Sequence, residues 1–214
     1  QLGFRSVAII PDPPILGIPL DHPYYDPLWS CIEELGVPLG THEAMYHKMG
    51  SVGYVAQNHV EGTTIPYAPH AVSFGFGEMM AALAFTGAIC PRHPDLTVVF
   101  TESSVGWAAT WLAFLDEKWE RAPLTGFPVP SDHPPSYWFA RQCFVSGEPG
   151  EADYQYCVEA GLEDNLLVAT DFPHPEDEHF PHGLTRALPR RGSRVGETQL
   201  RKLLWENGAR CYGL

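Results

Sequence analysis

The sequence predicts an α/β fold with a parallel sheet, because three features occur together in it. Short apolar runs alternate with longer segments whose apolar residues recur at helical spacing. The apolar runs are continuous, as in parallel strands that helices cover on both faces. Ionisable residues directly follow several of these runs. Since crossovers between parallel strands are right-handed, a doubly wound sheet and a barrel are the two main arrangements open to such a chain.

Five runs are predicted as strands, since each is short, apolar and bounded by turn residues. In chain order they are Ser6–Pro11 (SVAIIP), Val37–His42 (VPLGTH), Leu96–Glu102 (LTVVFTE), Gln142–Gly147 (QCFVSG) and Asn165–Thr170 (NLLVAT). The segments predicted as helices are Pro27–Leu35, Gly75–Cys90, Gly106–Glu120, Glu151–Ala160 and Thr198–Asn207. Two long segments, Glu43–Phe74 and Arg121–Pro135, are predicted as loops and interpreted as candidate lids, because long loops in compact domains are usually either functional or disordered.

Length and composition restrict the class of protein. A chain of 214 residues that is 44% hydrophobic has enough apolar surface for a core, and this length is typical of one domain spanning 1–214. The net charge of -13 and the lack of a basic cluster argue against nucleic acid or an anionic membrane as partner. The five cysteines are scattered and odd in number, so we expect no disulfide framework and a cytoplasmic location.

Two residues at predicted strand ends have side chains that bind metals. His42 ends the second strand, and Asp171 follows the fifth strand in LLVATDFPHPED. An imidazole and a carboxylate suit Zn²⁺, Mn²⁺ or Fe²⁺, and barrel enzymes place their chemistry at the carboxyl ends of strands. The alternatives are a structural histidine and an aspartate that caps a helix.

Five ordered motifs extend this interpretation. They are DPLWSCIEELGVPLGTH, PRHPDLTVVFTESSVGWAATWLAFLDEKWE, PSYWFARQCFVSGE, GLEDNLLVATDFPHPED and LLWENGARCYGL. In residues and order they resemble the metal-dependent amidohydrolase family 2 group, the decarboxylase-like branch of the amidohydrolase superfamily. The resemblance implies a (β/α)8 barrel of TIM type, of which this chain carries about the C-terminal five βα units. It also implies one divalent metal, with zinc expected and manganese or iron as alternatives.

The resemblance assigns roles to individual residues. It implies that His42 is the fifth-strand metal ligand and that Asp171 is the eighth-strand ligand, which also handles the proton of a metal-bound water. Many relatives carry a proton-handling histidine at the sixth-strand end, where this chain has Glu102. We expect Glu102 to act as acid or base, the alternative being a structural acceptor for loop amides.

Four further residues are weaker candidates. His174, within the DFPH motif, is expected to orient substrate or metal water, or else to hold its loop. Arg141 is a candidate for binding a substrate carboxylate, with a surface ion pair as the alternative. His47 is a candidate pocket residue, and Trp107 is either a substrate platform or core.

These expectations together favour a metal-dependent hydrolase of a small carboxylated aromatic or unsaturated substrate, with a non-oxidative decarboxylase as the second interpretation. The family's first-strand H-x-H or E-x-H motif does not appear near the amino end, and a closed barrel would need about three more strands before Ser6. We therefore expect either further natural sequence upstream or complementation by another chain, including a homo-oligomer. An incomplete subunit and an unrelated doubly wound binding module remain the rival interpretations.

Overall fold

Five parallel strands form one sheet in a computed structural model of the protein. The structure describes residues 3–11, 17–42, 68–129, 131–149, 151–172, 182 and 195–214. The strands are β1 (Val7–Ile9), β2 (Leu39–Thr41), β3 (Val98–Phe100), β4 (Cys143–Gly147) and β5 (Leu166–Val168). They pair in sequential order, and every neighbouring pair is parallel. Each predicted strand is thereby confirmed; β4 is one residue shorter than its apolar run, and the other four strands are three or four residues shorter.

Helices connect successive strands, as parallel pairing requires, and the last two helices follow β5. They are α1 (Asp26–Leu35), α2 (Ala68–Ala84), α3 (Cys90–Arg92), α4 (Gly106–Arg121), α5 (Pro135–Gln142), α6 (Tyr154–Glu159), α7 (Glu197–Arg201) and α8 (Asn207–Tyr212). A π-helical turn at Phe85–Ile89 joins α2 to α3, and a second at Lys202–Glu206 joins α7 to α8. None of the described helices combines the length and apolar character needed to cross a membrane.

The structure differs from the sequence-based expectation in two helices. Helix α5 was not predicted, although it starts with a proline, which is favoured in the first turn because that turn leaves its N–H groups unbonded anyway. Helix α2 begins at Ala68, within the segment expected to be a loop up to Phe74. The expected lid Glu43–Phe74 otherwise lies outside the described residues.

Alternate residues of each strand face opposite sides of the sheet. Val98 and Phe100 belong to the large core that the helices build on one side, where Phe100 stacks on Phe139 of α5 at 5.9 Å between ring centroids. Val99 faces the other side and joins a small cluster with Phe144, Leu167 and Cys211 of α8. In the barrel that the sequence resemblance implies, this second face would lie in the interior, which inward-pointing side chains fill.

Buried side-chain amides connect the elements at the amino edge of the sheet. Asn165 donates through Nδ2 to the carbonyl of Cys143 at 2.8 Å, at the start of β4. Asn207 in α8 donates to the carbonyls of Glu163 and Leu166, each at 2.8 Å. These bonds satisfy carbonyls that would otherwise be buried without a donor, and they anchor the C-terminal helix to β5.

Candidate active site

The carboxyl edge of the sheet gathers three of the predicted site residues. His42 directly follows β2, Glu102 lies two residues beyond β3, and Asp171 lies three residues beyond β5. Nε2 of His42 contacts Oε2 of Glu102, although 60 residues separate them in sequence. The two side chains are 43% and 26% exposed, so both are accessible from the solvent.

Hydrogen bonds between the ends of β2 and β3 hold this contact in register. The carbonyl of Thr41 accepts from the backbone N–H of Thr101 at 3.1 Å and also from the Thr101 hydroxyl. His42 donates its own N–H to the carbonyl of Ile9 in β1 at 3.1 Å. Thr41 and Thr101 immediately precede His42 and Glu102 respectively, so the paired threonines set the relative position of the two ionisable residues.

A buried carboxylate lies behind the end of β2. Glu78 of α2 is fully buried, and its Oε2 accepts a hydrogen bond from the Thr41 hydroxyl at 2.5 Å. A buried carboxyl group is costly unless it is hydrogen-bonded, so this bond both compensates the burial of Glu78 and fixes the rotamer of Thr41. The contact ties α2 to the strand end that carries His42.

Left-handed backbone conformations are confined to this edge among the described non-glycine residues. They occur at Glu102 (φ 55°), Ser104 (φ 59°) and Asp171 (φ 49°). Such conformations cost roughly 1 to 3 kcal/mol each in residues with a Cβ and are enriched at functional sites. Glu102 and Asp171 are also candidate catalytic residues that the sequence predicts.

A cavity of about 420 Å³ opens between Glu102 and Asp171. Its volume lies in the usual range for a small-molecule site. Apolar side chains line much of the wall, namely Val99, Leu167, Val168, Leu203 and Leu204. Burial raises the pKa of Tyr212, another wall residue, so its phenol stays neutral at physiological pH. The cavity thus combines an apolar wall with carboxylates at the strand ends.

Glu148 and Ser146 also line the cavity and were missed as candidate residues. Ser146 belongs to β4, and Glu148 directly follows this strand, just as His42 directly follows β2. Glu148 thus follows a predicted strand as His42, Glu102 and Asp171 do, and the same pattern in the sequence indicates it as a site residue.

The remaining predicted residues lie elsewhere or outside the described part of the chain. Arg141 is exposed near the end of α5, over the ring of Tyr137, and precedes β4, so it lies toward the amino edge. The structure therefore does not bring Arg141 to the candidate site. Trp107 packs edge-to-face on Phe100 at 5.6 Å and belongs with the helix-side core. His47 and His174 lie outside the described residues.

The donor chemistry at this edge fits a divalent metal. An imidazole nitrogen and carboxylate oxygens are the ligand types that Zn²⁺, Mn²⁺ and Fe²⁺ take. Within the described ranges, no group of three or more His, Cys, Asp or Glu side chains converges in a way that could hold an ion. The described residues therefore offer donors of the right kind without forming a complete ligand set among themselves.

Parallel sheets that collect histidine and carboxylates at their carboxyl edge occur in barrel-type, metal-dependent enzymes. The family model described as "Amidohydrolase" matches residues 1–214, so the chain belongs to the amidohydrolase family. This finding confirms the resemblance inferred from the five motifs, and the described sheet corresponds to part of a (β/α)8 barrel. None of the curated proteins compared with the chain matches it significantly.

Solved structures with the same fold include an amidohydrolase from Mycobacterium avium subsp. paratuberculosis, with a TM-score of 0.75 and 20% identity. That match covers 99% of this chain and 52% of the other. The 5-carboxyvanillate decarboxylase of Sphingomonas paucimobilis matches with a TM-score of 0.70 and 18% identity, over 100% of this chain and 60% of the other. The chain therefore spans between half and two thirds of the length of these two structures.

A third match contains a metal. A dihydroxybenzoic acid decarboxylase from Polaromonas, with bound manganese and the inhibitor 2-nitroresorcinol, matches with a TM-score of 0.64 and 19% identity, over 92% of this chain and 57% of the other. Manganese in that enzyme gives no support to zinc over manganese for this chain. A divalent metal is supported at the level of the family.

Proposed function

We propose that the protein is a metal-dependent decarboxylase of a small carboxylated aromatic compound. The observation that carries this proposal is the contact between His42 and Glu102 beside an apolar cavity that Asp171 also lines. Family membership and the decarboxylases among the structural matches support the reaction class. At 18 and 19% identity those matches support the fold directly and the substrate class only by analogy.

His42 and Asp171 are the residues that would hold the metal in this proposal, with further donors coming from outside the described set. A divalent ion bound there would supply Lewis-acid polarisation of a substrate oxygen. Zinc and manganese both suit these donors, so the identity of the ion is a matter for experiment.

The cavity wall and Glu102 supply the rest of the proposed chemistry. Val99, Leu167 and Leu203 give the substrate ring an apolar surface, which displaces water from the carboxylate that must leave. The bond between the ring carbon and the carboxylate carbon breaks, carbon dioxide departs, and the electron pair stays on the ring carbon. Glu102, in its protonated form, delivers the proton that this carbon takes up.

Hydrolysis is the second candidate, and the identity of Glu102 favours it. A glutamate at this position can accept the proton of an attacking water, whereas many decarboxylases of the family that the sequence resembles carry a proton-handling histidine here. In that case the cleaved bond is an ester, an amide or an activated carbon–carbon bond, and the products are two fragments without release of carbon dioxide.

A substrate panel separates the two reactions. Purified protein would be stripped of metal, reloaded with Mn²⁺ or Zn²⁺, and assayed with 5-carboxyvanillate, 2,6-dihydroxybenzoate and matched aryl esters and amides. Carbon dioxide release from a carboxylated phenol, lost in Asp171→Asn, is the expected result. Fragment formation from the esters or amides, with no carbon dioxide from any acid, would replace the decarboxylase proposal by the hydrolase.

A further inference from the structure

One carboxylate, that of Glu151, connects the loops that follow β3 and β4. Its Oε2 accepts from the Ser104 hydroxyl at 2.7 Å and from the backbone N–H of Val105 at 2.8 Å. Its Oε1 accepts from the backbone N–H of Glu148 at 2.7 Å. Three donors from two loops thus converge on the two oxygens of a single side chain.

These bonds hold the backbone on the far side of Glu102. On the near side, Thr101 is fixed by its two hydrogen bonds to the carbonyl of Thr41. On the far side, Ser104 and Val105 are fixed by Glu151, 47 and 46 residues further along the chain. Glu102 therefore lies in a short segment that is tied at both ends.

The segment held in this way is strained. Both Glu102 and Ser104 have positive φ, a conformation that a residue with a Cβ keeps only where its surroundings enforce it. Charged acceptors form the stronger hydrogen bonds, and a carboxylate that accepts the N–H of Val105, the N-cap residue of α4, also interacts favourably with the helix dipole. Glu151 is thus well suited to compensate the cost of the turn.

The position of Gly147 shows how closely the carboxylate fits. A Cβ added at Gly147 would collide with Oε1 of Glu151, so the carboxylate occupies space that any other residue at the end of β4 would fill. Gly106 has a comparable neighbour, since its added Cβ would lie 2.6 Å from Oδ2 of Asp153. Asp153 therefore provides a second carboxylate near the start of α4, without the bonds to Ser104 and Glu148 that Glu151 makes.

We propose that Glu151 is a positioning residue that holds Glu102 in its reactive orientation by joining the β3 and β4 loops. This inference rests on the proposed role of Glu102. Glu151 itself does not line the cavity, so its effect on turnover is exerted through the turn at Glu102–Ser104.

The substitution Glu151→Gln tests the inference sharply, because an amide offers one acceptor oxygen where the carboxylate offers two. Its NH2 group would face a donor, so the bonds to at least one loop are lost. We expect kcat to fall about 10- to 100-fold, the size usual for residues that orient a catalytic group, with KM unchanged. Glu151→Asp keeps both oxygens on a shorter side chain and is expected to recover part of the lost kcat.

Asp153→Asn is the matched control, since it removes one negative charge near the same helix start. Asp153→Asn is expected to leave kcat unchanged. Equal loss of kcat in Glu151→Gln and Asp153→Asn would show that removing any negative charge near the start of α4 has this effect. That result would overturn the inference.

Amide hydrogen exchange provides a readout that is independent of activity. Glu151→Gln should accelerate exchange at Val105 or Glu148, whose N–H groups the carboxylate binds, whereas Asp153→Asn should not. Accelerated exchange with unchanged kcat would overturn the positioning role. Unchanged exchange would show that Glu151 does not hold the turn. If wild-type protein turned over no substrate of the panel, the proposed function would fail, and the exchange data alone would still decide whether Glu151 holds the turn.

Discussion

The backbones of Glu102 and Asp171 adopt the same unusual conformation, with φ of 55° and 49°, at the ends of β3 and β5. Strand β4 lies between these two strands, and both residues line one cavity. The chain therefore carries a conformational cost at two carboxylates that face the same space. Stability given up at a site in this manner is typical of residues selected for function.

The free-energy cost of the left-handed backbone conformation at position 102 can be measured by replacing Glu102 with glycine and with alanine. At positive φ, glycine avoids the Cβ clash, so Glu102→Gly should be more stable than Glu102→Ala by about 1 kcal/mol. At Ala113, an exposed site within α4, glycine should instead be less stable than alanine by about 1 kcal/mol. Urea unfolding of the four proteins gives both differences. Alanine equal to or better than glycine at position 102 would contradict the left-handed assignment.

Replacing the carboxyl group of Glu102 by an amide should affect turnover more than folding. Glu102→Gln keeps the size of the side chain but cannot exchange a proton, so kcat should fall by about 10² to 10⁴. The melting temperature and the KM for substrate should change little, because the side chain is partly exposed at a loop. A kcat equal to that of wild type would return Glu102 to the structural interpretation.

Asp171→Asn tests the proposed metal ligand at the end of β5. An amide oxygen is a poorer ligand than a carboxylate and takes no proton, so both metal content and turnover should drop sharply. Metal analysis after dialysis, alongside the activity assay, gives the two quantities. The variant Asp164→Asn, at an exposed carboxylate that pairs with Lys202, serves as control and should retain both. Undiminished metal content in Asp171→Asn would remove this residue from the ligand set.

Much of the sheet could be predicted from the sequence, because strands covered by helices need continuous apolar runs. The runs around Val98, Val145 and Leu167 have no other simple explanation, and parallel pairing then brings the residues after them to one edge. The shared edge of His42, Glu102 and Asp171 follows from that argument alone.

What the sequence could not show depends on contacts between distant segments. The bonds from Glu151 to Ser104 and Val105 span more than 40 residues, and nothing in a local pattern selects this glutamate over its neighbours. Arg141 was chosen for its chemistry, yet helix α5 carries it toward the amino edge because it precedes its strand. Helix α5 itself was missed because PSYWFARQ is rich in aromatic residues, whose helix propensity is low.

The ion pair between Asp26 and Arg92 should make stability depend on pH. Burial raises the pKa of Asp26, but the hydrogen bonds and charges of Arg92 and His93 outweigh it and hold the pKa below its ordinary value of 3.8. The pair therefore stabilises the fold above the unfolded-state pKa and loses this effect as the pH falls through the lower, folded-state value. Asp26→Asn should be less stable than wild type at pH 7, by up to about 1 kcal/mol because the pair is partly exposed, and should approach wild type at pH 3. Urea titrations of both proteins at pH 7 and pH 3 measure the difference in their free energies of unfolding. The same difference at both pH values would rule out the ion pair as its source.

The C-terminal helix should depend on Asn207 for its attachment to the sheet. Its buried amide nitrogen donates to the carbonyls of both Glu163 and Leu166, so Asn207→Ala leaves two acceptors without this donor and opens space beneath α8. Unsatisfied buried groups cost roughly 1 to 3 kcal/mol, and we expect the free energy of unfolding to fall by at least the lower figure. Gln155, an amide on the surface that donates to Glu159 at 2.6 Å, is the matched control, and Gln155→Ala should change the free energy of unfolding by less than about 0.5 kcal/mol.

Since Leu203, Leu204 and Tyr212 of the same C-terminal segment line the cavity, the loss of the Asn207 hydrogen bonds should also raise KM for an aromatic substrate. A stable Asn207→Ala protein with unchanged KM would show that apolar packing alone holds this segment in place.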